Sequence, residues 1–310
     1  IGMSRVADIW DVMDAQQYEG FMKDVYASYS QSFDSITDPN NKSFHIYSDS
    51  ARASHNNEGT DTDFYDELLR DAMQYSVSLS VAGGAENANY NIGLNHNAQE
   101  GTVINTNFER IGFYVNSDVD LTEKLQVGES LKLLYTKDNS MRGGGGYHNG
   151  GPLRASAIAS PFMPLYNDTA LGGFGGPTTY LTGDNERTNP IAEQSLYWNQ
   201  RDNYWVYSNV YAKYEFFKGF SYKFSFNYNM GFSNYEQFVH AYTLGNVKQR
   251  DNETNDRNLS RRKKKKNWQF NHLLNFDRSF GRLHLNSVLG YELNYNYNDY
   301  LSLVGESFPT

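Results

Sequence analysis

The chain has 310 residues and carries 27 Lys+Arg against 36 Asp+Glu, a formal net charge of -9. That balance disfavours general binding to a phosphate backbone, and zero Cys excludes thiolate metal sites, disulfides and a Cys nucleophile. Hydrophobic residues make up only 39%, yet aromatics reach 15% and 34 residues are Asn, a mixture unlike that of a soluble enzyme or of aromatic-poor disorder.

In chain order, residues 1–6 alternate like the end of a strand. The stretch 7–74 differs in texture. Tyr18, Phe21, Met22 and Val25 have helical spacing behind Asp14 as an N-cap. A second helix is expected from Asp63 to Met73, with polar loop between the two. From Tyr75 the period becomes two. Tyr75, Val77, Leu79 and Val81 alternate with Ser, and Tyr90, Ile92 and Leu94 alternate with Asn and Gly across a Gly/Asn turn, which is a hairpin signal. Ile111 to Val115 and Leu125 to Tyr135 form the next pair. Phe220, Tyr222, Phe224, Phe226, Tyr228, Met230 and Phe232 then interleave with polar residues or Gly only. Tyr204 to Phe217 precede this run, and Trp268 to Phe276 and Leu283 to Leu293 follow it.

These runs of roughly 9–15 residues are longer than soluble strands usually are and suit a tilted crossing of a bilayer. The alternation alone fits a sandwich as well as a membrane barrel. The connections decide between them. Segments 83–88, 119–124, 217–220 and 280–283 are short, whereas 7–74, 99–106, 139–202 and 234–266 are longer. Short periplasmic turns alternating with longer extracellular loops describe an outer-membrane barrel. The expected fold is therefore all-β, part of a transmembrane antiparallel β-barrel with long, partly helical extracellular loops. Nine strands is an odd number, and an open sheet would leave bare edges in lipid, so the chain reads as a fragment with more barrel beyond it.

Several stretches carry a resemblance. Leu79-Ser80-Val81-Ala82-Gly83-Gly84-Ala85-Glu86-Asn87-Ala88-Asn89-Tyr90 resembles a recurrent hairpin of the SusC/RagA-like TonB-dependent outer-membrane transporters of Bacteroidota. Thr62-Asp63 through Glu67, Gln99-Glu100-Gly101 with Asn107-Phe108-Glu109-Arg110, Asn189-Pro190-Ile191-Ala192-Glu193 and Leu289-Gly290-Tyr291-Glu292 are similar to further pieces of that family, in the same order. The resemblance implies about nine of some 22 strands, with the N-terminal plug and the C-terminal barrel strands lying outside this stretch. It also implies a SusD-like surface lipoprotein as lid, the TonB complex acting through the missing N-terminal region, and import of oligosaccharides or peptides. No cofactor is implied. A passive porin or adhesin barrel, or a soluble carbohydrate-binding β-protein, is the alternative.

No residue pattern points to catalysis. His272 and His284 fall inside strands, where a lumen or interface side chain is the simpler reading. Asp61, Asp63, Asp66 and Glu67 cluster, but without the spacing of a calcium loop, and read as acids at a helix N-terminus. The Gly143–Gly151 stretch lacks the Lys-Ser/Thr and strand-to-helix context of a phosphate loop. Around it, Tyr147, His148, Tyr180 and Trp198 are the candidate substrate contacts, able to stack on sugar faces or peptide side chains. Arg261, Arg262, Lys263, Lys264, Lys265 and Lys266 precede Trp268 and are expected to face lipopolysaccharide phosphates.

Overall fold

In a computed structural model, residues 1–7, 10–30, 60–143, 151–176, 189–242 and 256–306 are described. In order they form β1 (Gly2–Ser4), α1 (Ala15–Ser30), α2 (Phe64–Leu68), β2 (Ala72–Ala85), β3 (Ala88–Glu100), β4 (Asn107–Thr122), β5 (Leu125–Asn139), α3 (Gly151–Ile158), α4 (Pro190–Ser195), β6 (Tyr197–Phe217), β7 (Phe220–Val239), β8 (Arg257–Phe280) and β9 (Leu283–Glu306). The nine strands make one antiparallel sheet in sequence order, β1 through β9. Every neighbour in the sheet is therefore a neighbour in the chain, as in an up-and-down barrel wall. The sheet is not closed within this stretch.

Two-residue turns join β2 to β3, β4 to β5, β6 to β7 and β8 to β9. Gly219 has φ 85°, and a Cβ there would run into the Asp277 carbonyl. Only glycine fits that turn without strain.

The strands are longer than the alternation implies, 20 to 24 residues in β6 through β9. As a result, the connection expected at 234–266 shrinks to 240–256, and 139–202 becomes 140–196. The physical reason lies in the solvent. A strand segment with polar or charged side chains on both faces, such as Ser260–Asn267, has no apolar face and loses the period of two, while its backbone ladder continues unbroken. The second helix also ends early, at Leu68. There the Ile104 amide donates to the Leu68 carbonyl, Leu69 bridges to Val103, and Ala72–Gln74 pair with β1.

The long-connection end of the sheet carries a cap with its own core. Phe64, Leu68, Met163 and Ile191 are buried together, with Val103, Ile104, Leu165 and Phe174 packed around them. Ala192, Val239 and Tyr242 form an adjoining cluster. Residues from four separate connections thus meet there.

Candidate functional site

Strand register decides which side chains share a face. On one face of β7, Tyr222, Phe224, Phe226 and Tyr228 stand opposite Leu274, His272, Phe270 and Trp268 of β8, which in turn meet Leu289, Tyr291, Leu293 and Tyr295 of β9. Val77, Leu79, Ile92, Leu94 and Phe113 continue this face across β2 to β4. Leu94, with paired strands on both sides, is 51% exposed. An apolar face of this extent needs an apolar solvent, so it is the face that meets lipid. His272 belongs to it, its Nδ1 2.6 Å from the Tyr222 hydroxyl, which agrees with the reading of an ordinary interface side chain.

The opposite face is lined by amides. Asn91, Asn116, Asn209, Asn227, Asn271 and Asn294 stand on it, and Asn209 Nδ2 donates to Asn227 Oδ1 at 2.6 Å. Flat rings lie among them. Tyr114 covers Gly93, Trp205 covers Gly231 and Tyr211 covers Gly128, each across a directly paired position. A Cβ at any of these glycines would overlap the ring, so the glycines let aromatic side chains lie flat against the wall. Trp205 and Tyr207 stack at 6.1 Å. Amide groups and aromatic faces are the equipment for binding polyhydroxylated or peptide ligands from water.

The cap is held by buried polar side chains. Asn189 Oδ1 accepts from the amides of Ile191 and Ala192, capping α4, while its Nδ2 donates to the carbonyls of Leu165 and Gly175. Gln194 Nε2 donates to the Ile104 carbonyl and its Oε1 accepts from the Arg142 amide. Asn199 bonds Ser140 in both directions. Such satisfied polar groups fix one arrangement of loops that apolar packing alone would leave free to slide. Asp63 caps α2 by accepting from the Tyr65 and Asp66 amides, so its carboxylate has a structural task. Asp14 does the same for α1, where Gln17 reciprocates in a capping box.

Two open clefts flank the cap, of about 670 Å³ and 460 Å³. Trp10 borders both and is 77% exposed. Beside the first cleft, burial and the nearby Asp63 push the Tyr65 hydroxyl up from its ordinary pKa. At the β1–β2 edge, Arg5 donates to both Asp71 carboxylate oxygens at 2.7 Å and holds that carboxyl below its usual range.

The structure separates the candidate residues. Tyr147, His148 and Tyr180 lie outside the described residues. Trp198 pairs with Phe238 in the register that runs through Tyr204 and Val206, so alternation puts it on the outward face, away from the lumen. Its neighbour Tyr197 faces inward instead. The basic run is likewise not a single surface, because it is a strand segment and successive side chains point oppositely. Arg262, Lys264 and Lys266 stand on the outward face above Trp268, with Lys264 Nζ 5.5 Å from the Phe232 ring centre. Arg261, Lys263 and Lys265 stand on the lumen face. Tyr235 and Arg201 were not among the expected contacts, although the parity that runs from Phe226 already puts Tyr235 on the lumen face.

No protein-family model matches the chain. It is 33% identical over 171 residues to "TonB-dependent receptor P3" of Formosa agariphila, which covers 54% of this chain and 16% of that protein. It is also 33% identical over 150 residues to "TonB-dependent receptor P26" of the same organism, covering 46% and 13%. The matched segments thus cover about a sixth or less of the length of these relatives. Among solved structures, the RagAB peptide importer superposes on 99% of this chain in its closed-closed state and on 100% in its open-open state. Both states give a TM-score of 0.71, with 16% and 17% identity, and 35% of the other chain is covered in each. The barrel wall, and the outer membrane as its location, follow from these likenesses.

Proposed function

We propose, from the premise that this chain is a barrel segment of the SusC/RagA-like TonB-dependent proteins of the Bacteroidota outer membrane, that the protein imports oligosaccharides or peptides. The single observation that carries this reading is the two-faced wall with a cap at one end: lipid-ready outside, amide and aromatic inside, and all long connections gathered at one rim. The capped rim is extracellular. The connections 5–71, 140–196 and 240–256 build the substrate chamber and meet a SusD-like lipoprotein lid. TonB acts through a plug outside this stretch.

On the outward face, Arg262, Lys264 and Lys266 sit two residues apart above the Trp268 girdle, which stacks on Tyr295 at 5.4 Å. At that level they meet the phosphates of outer-leaflet lipopolysaccharide, their aliphatic stems lying along the apolar wall.

The test is uptake of labelled oligosaccharide and peptide mixtures by cells carrying the protein, with and without a protonophore, alongside detergent pull-down of its partners. Energy-dependent uptake with a co-purifying lipoprotein is expected. Uptake that survives the protonophore would make the barrel a passive porin.

A further inference from the structure

The lumen wall carries a cationic patch that the overall charge of the protein gives no reason to expect. Three consecutive transverse rows of the lumen face can be read from the register. The first runs Phe108, Asp138, Arg201, Tyr235, Arg261, Ser302; the second Arg110, Thr136, Asn203, Ser233, Lys263, Tyr300; the third Gly112, Leu134, Trp205, Gly231, Lys265, Asn298. Across these rows the cations are Arg110, Arg201, Arg261, Lys263 and Lys265, and the one carboxylate is Asp138. The chain as a whole has nine more acidic than basic residues, so this imbalance is local.

The geometry of the patch is built rather than scattered. Arg201 and Arg261 lie over the same Tyr235 ring, with Cζ atoms 5.3 Å and 5.9 Å from its centre. The Tyr235 hydroxyl is 3.0 Å from that of Tyr197 and donates to Gln237 Oε1. The ring is thereby fixed, and it stands between the two guanidinium groups and attracts both. Lys263 and Lys265 continue the series toward the bilayer at roughly 7 Å intervals. Among the described residues, none of Arg201, Arg261, Lys263 and Lys265 has a carboxylate within ion-pair distance.

Cations gathered on one stretch of wall, with Asp138 opposite Arg201 as the one carboxylate in their rows, favour an anionic ligand and draw it in. What surrounds them selects its class. Below the patch the lumen face continues with Tyr207, Asn229, Asn267, Asn209, Asn227 and Gln269, which are amides and rings suited to vicinal hydroxyls and sugar faces. We propose that this half of the lumen wall binds a polyanionic glycan, bearing sulfate or carboxylate groups, through Arg201, Arg261, Lys263 and Lys265. The proposal rests on the import reading above and names its substrate class.

The alternation of β8 supplies its own control. In the full-length protein in its membrane, binding of a dextran sulfate oligosaccharide is measured against uncharged dextran and an oligoglutamate of equal charge. The inner triple variant R261Q/K263Q/K265Q is compared with the outer triple R262Q/K264Q/K266Q, which removes the same charge from the same strand. Assembly of each is checked by heat-modifiable mobility, and Arg201→Gln serves as a milder variant. The expected result is a loss of roughly tenfold or more in dextran sulfate affinity for the inner triple, a smaller loss for Arg201→Gln, and a change within about twofold for the outer triple. Equal losses for both triples, or uncharged dextran binding as well as the sulfated form, would overturn the proposal. Oligoglutamate binding as tightly as dextran sulfate would replace it with an acidic-peptide site. Binding is read without energisation, so energy-independent uptake would sink the import reading while leaving this measurement to stand or fall by itself.

Discussion

The wall and the cap of this protein bury their apolar side chains in opposite senses. The cap hides Phe64, Leu68, Met163 and Ile191 almost completely from solvent, whereas the wall leaves Leu94, which has paired strands on both sides, more than half exposed. Both obey the same preference of apolar surface for an apolar surrounding. The cap must supply that surrounding from its own side chains because it stands in water. The wall receives it from lipid and therefore needs no second layer. The comparison teaches that exposure in this chain is a statement about solvent, so a residue's tolerance to change depends on which of the two regions holds it.

The largest effect is expected where the cap is densest. Phe64→Ala removes a ring from the cluster of Leu68, Met163 and Ile191 and costs about 3–5 kcal/mol of local stability. Protease cleavage of the 140–196 connection reads this, with barrel assembly preserved. Loss of the barrel as well would show that cap and wall fold as one unit. In the wall the sensitive direction is reversed. Phe226→Arg puts a charge into the lipid band and costs about 2–4 kcal/mol, while Asn227→Arg, one residue on and facing the lumen, is nearly neutral. Urea unfolding in lipid vesicles separates the two, and equal costs would erase the distinction between the faces.

A smaller loss tests the polar ties of the cap. Asn189→Ala removes the α4 cap, takes the side-chain donor from the Gly175 carbonyl and leaves the Leu165 carbonyl with the Gly175 amide alone, for about 1–3 kcal/mol. Hydrogen exchange at Ile191 and Ala192 reports it. The smallest effect is at the β1–β2 edge. Because Arg5 lowers the Asp71 pKa in the folded protein, the pair contributes above the ordinary carboxylate pKa and its contribution is lost as pH falls through the lowered value. The pair lies in solvent, so the change is slight. Exchange at the Gly2–Ser4 amides should rise relative to the rest of the sheet on acidification, and Asp71→Asn should abolish that extra pH dependence.

Much of the wall was legible from single residues. Phe220 to Phe232 fixed a strand, its apolar face and its neighbours' parity, since a period of two follows directly from backbone geometry. The capping acids Asp14 and Asp63 were legible for the same local reason. The strand extension Arg257–Lys266 was not, because a ribbon with polar or charged side chains on both faces has no hydrophobic pattern to betray it. Its consequence was larger than its length. A run of six cations that looks like one lipid-facing patch becomes two patches on opposite faces.

By itself, then, the sequence determined that this is an alternating, antiparallel wall with short turns at one end and long connections at the other, for alternation and turn chemistry are local properties. Only the tertiary structure decided that Tyr235 stands between Arg201 and Arg261, that Trp198 faces outward, and that residues as distant as Phe64 and Ile191 share one core. Those facts depend on cross-strand register and on loop packing between segments over a hundred residues apart, and no local pattern encodes either.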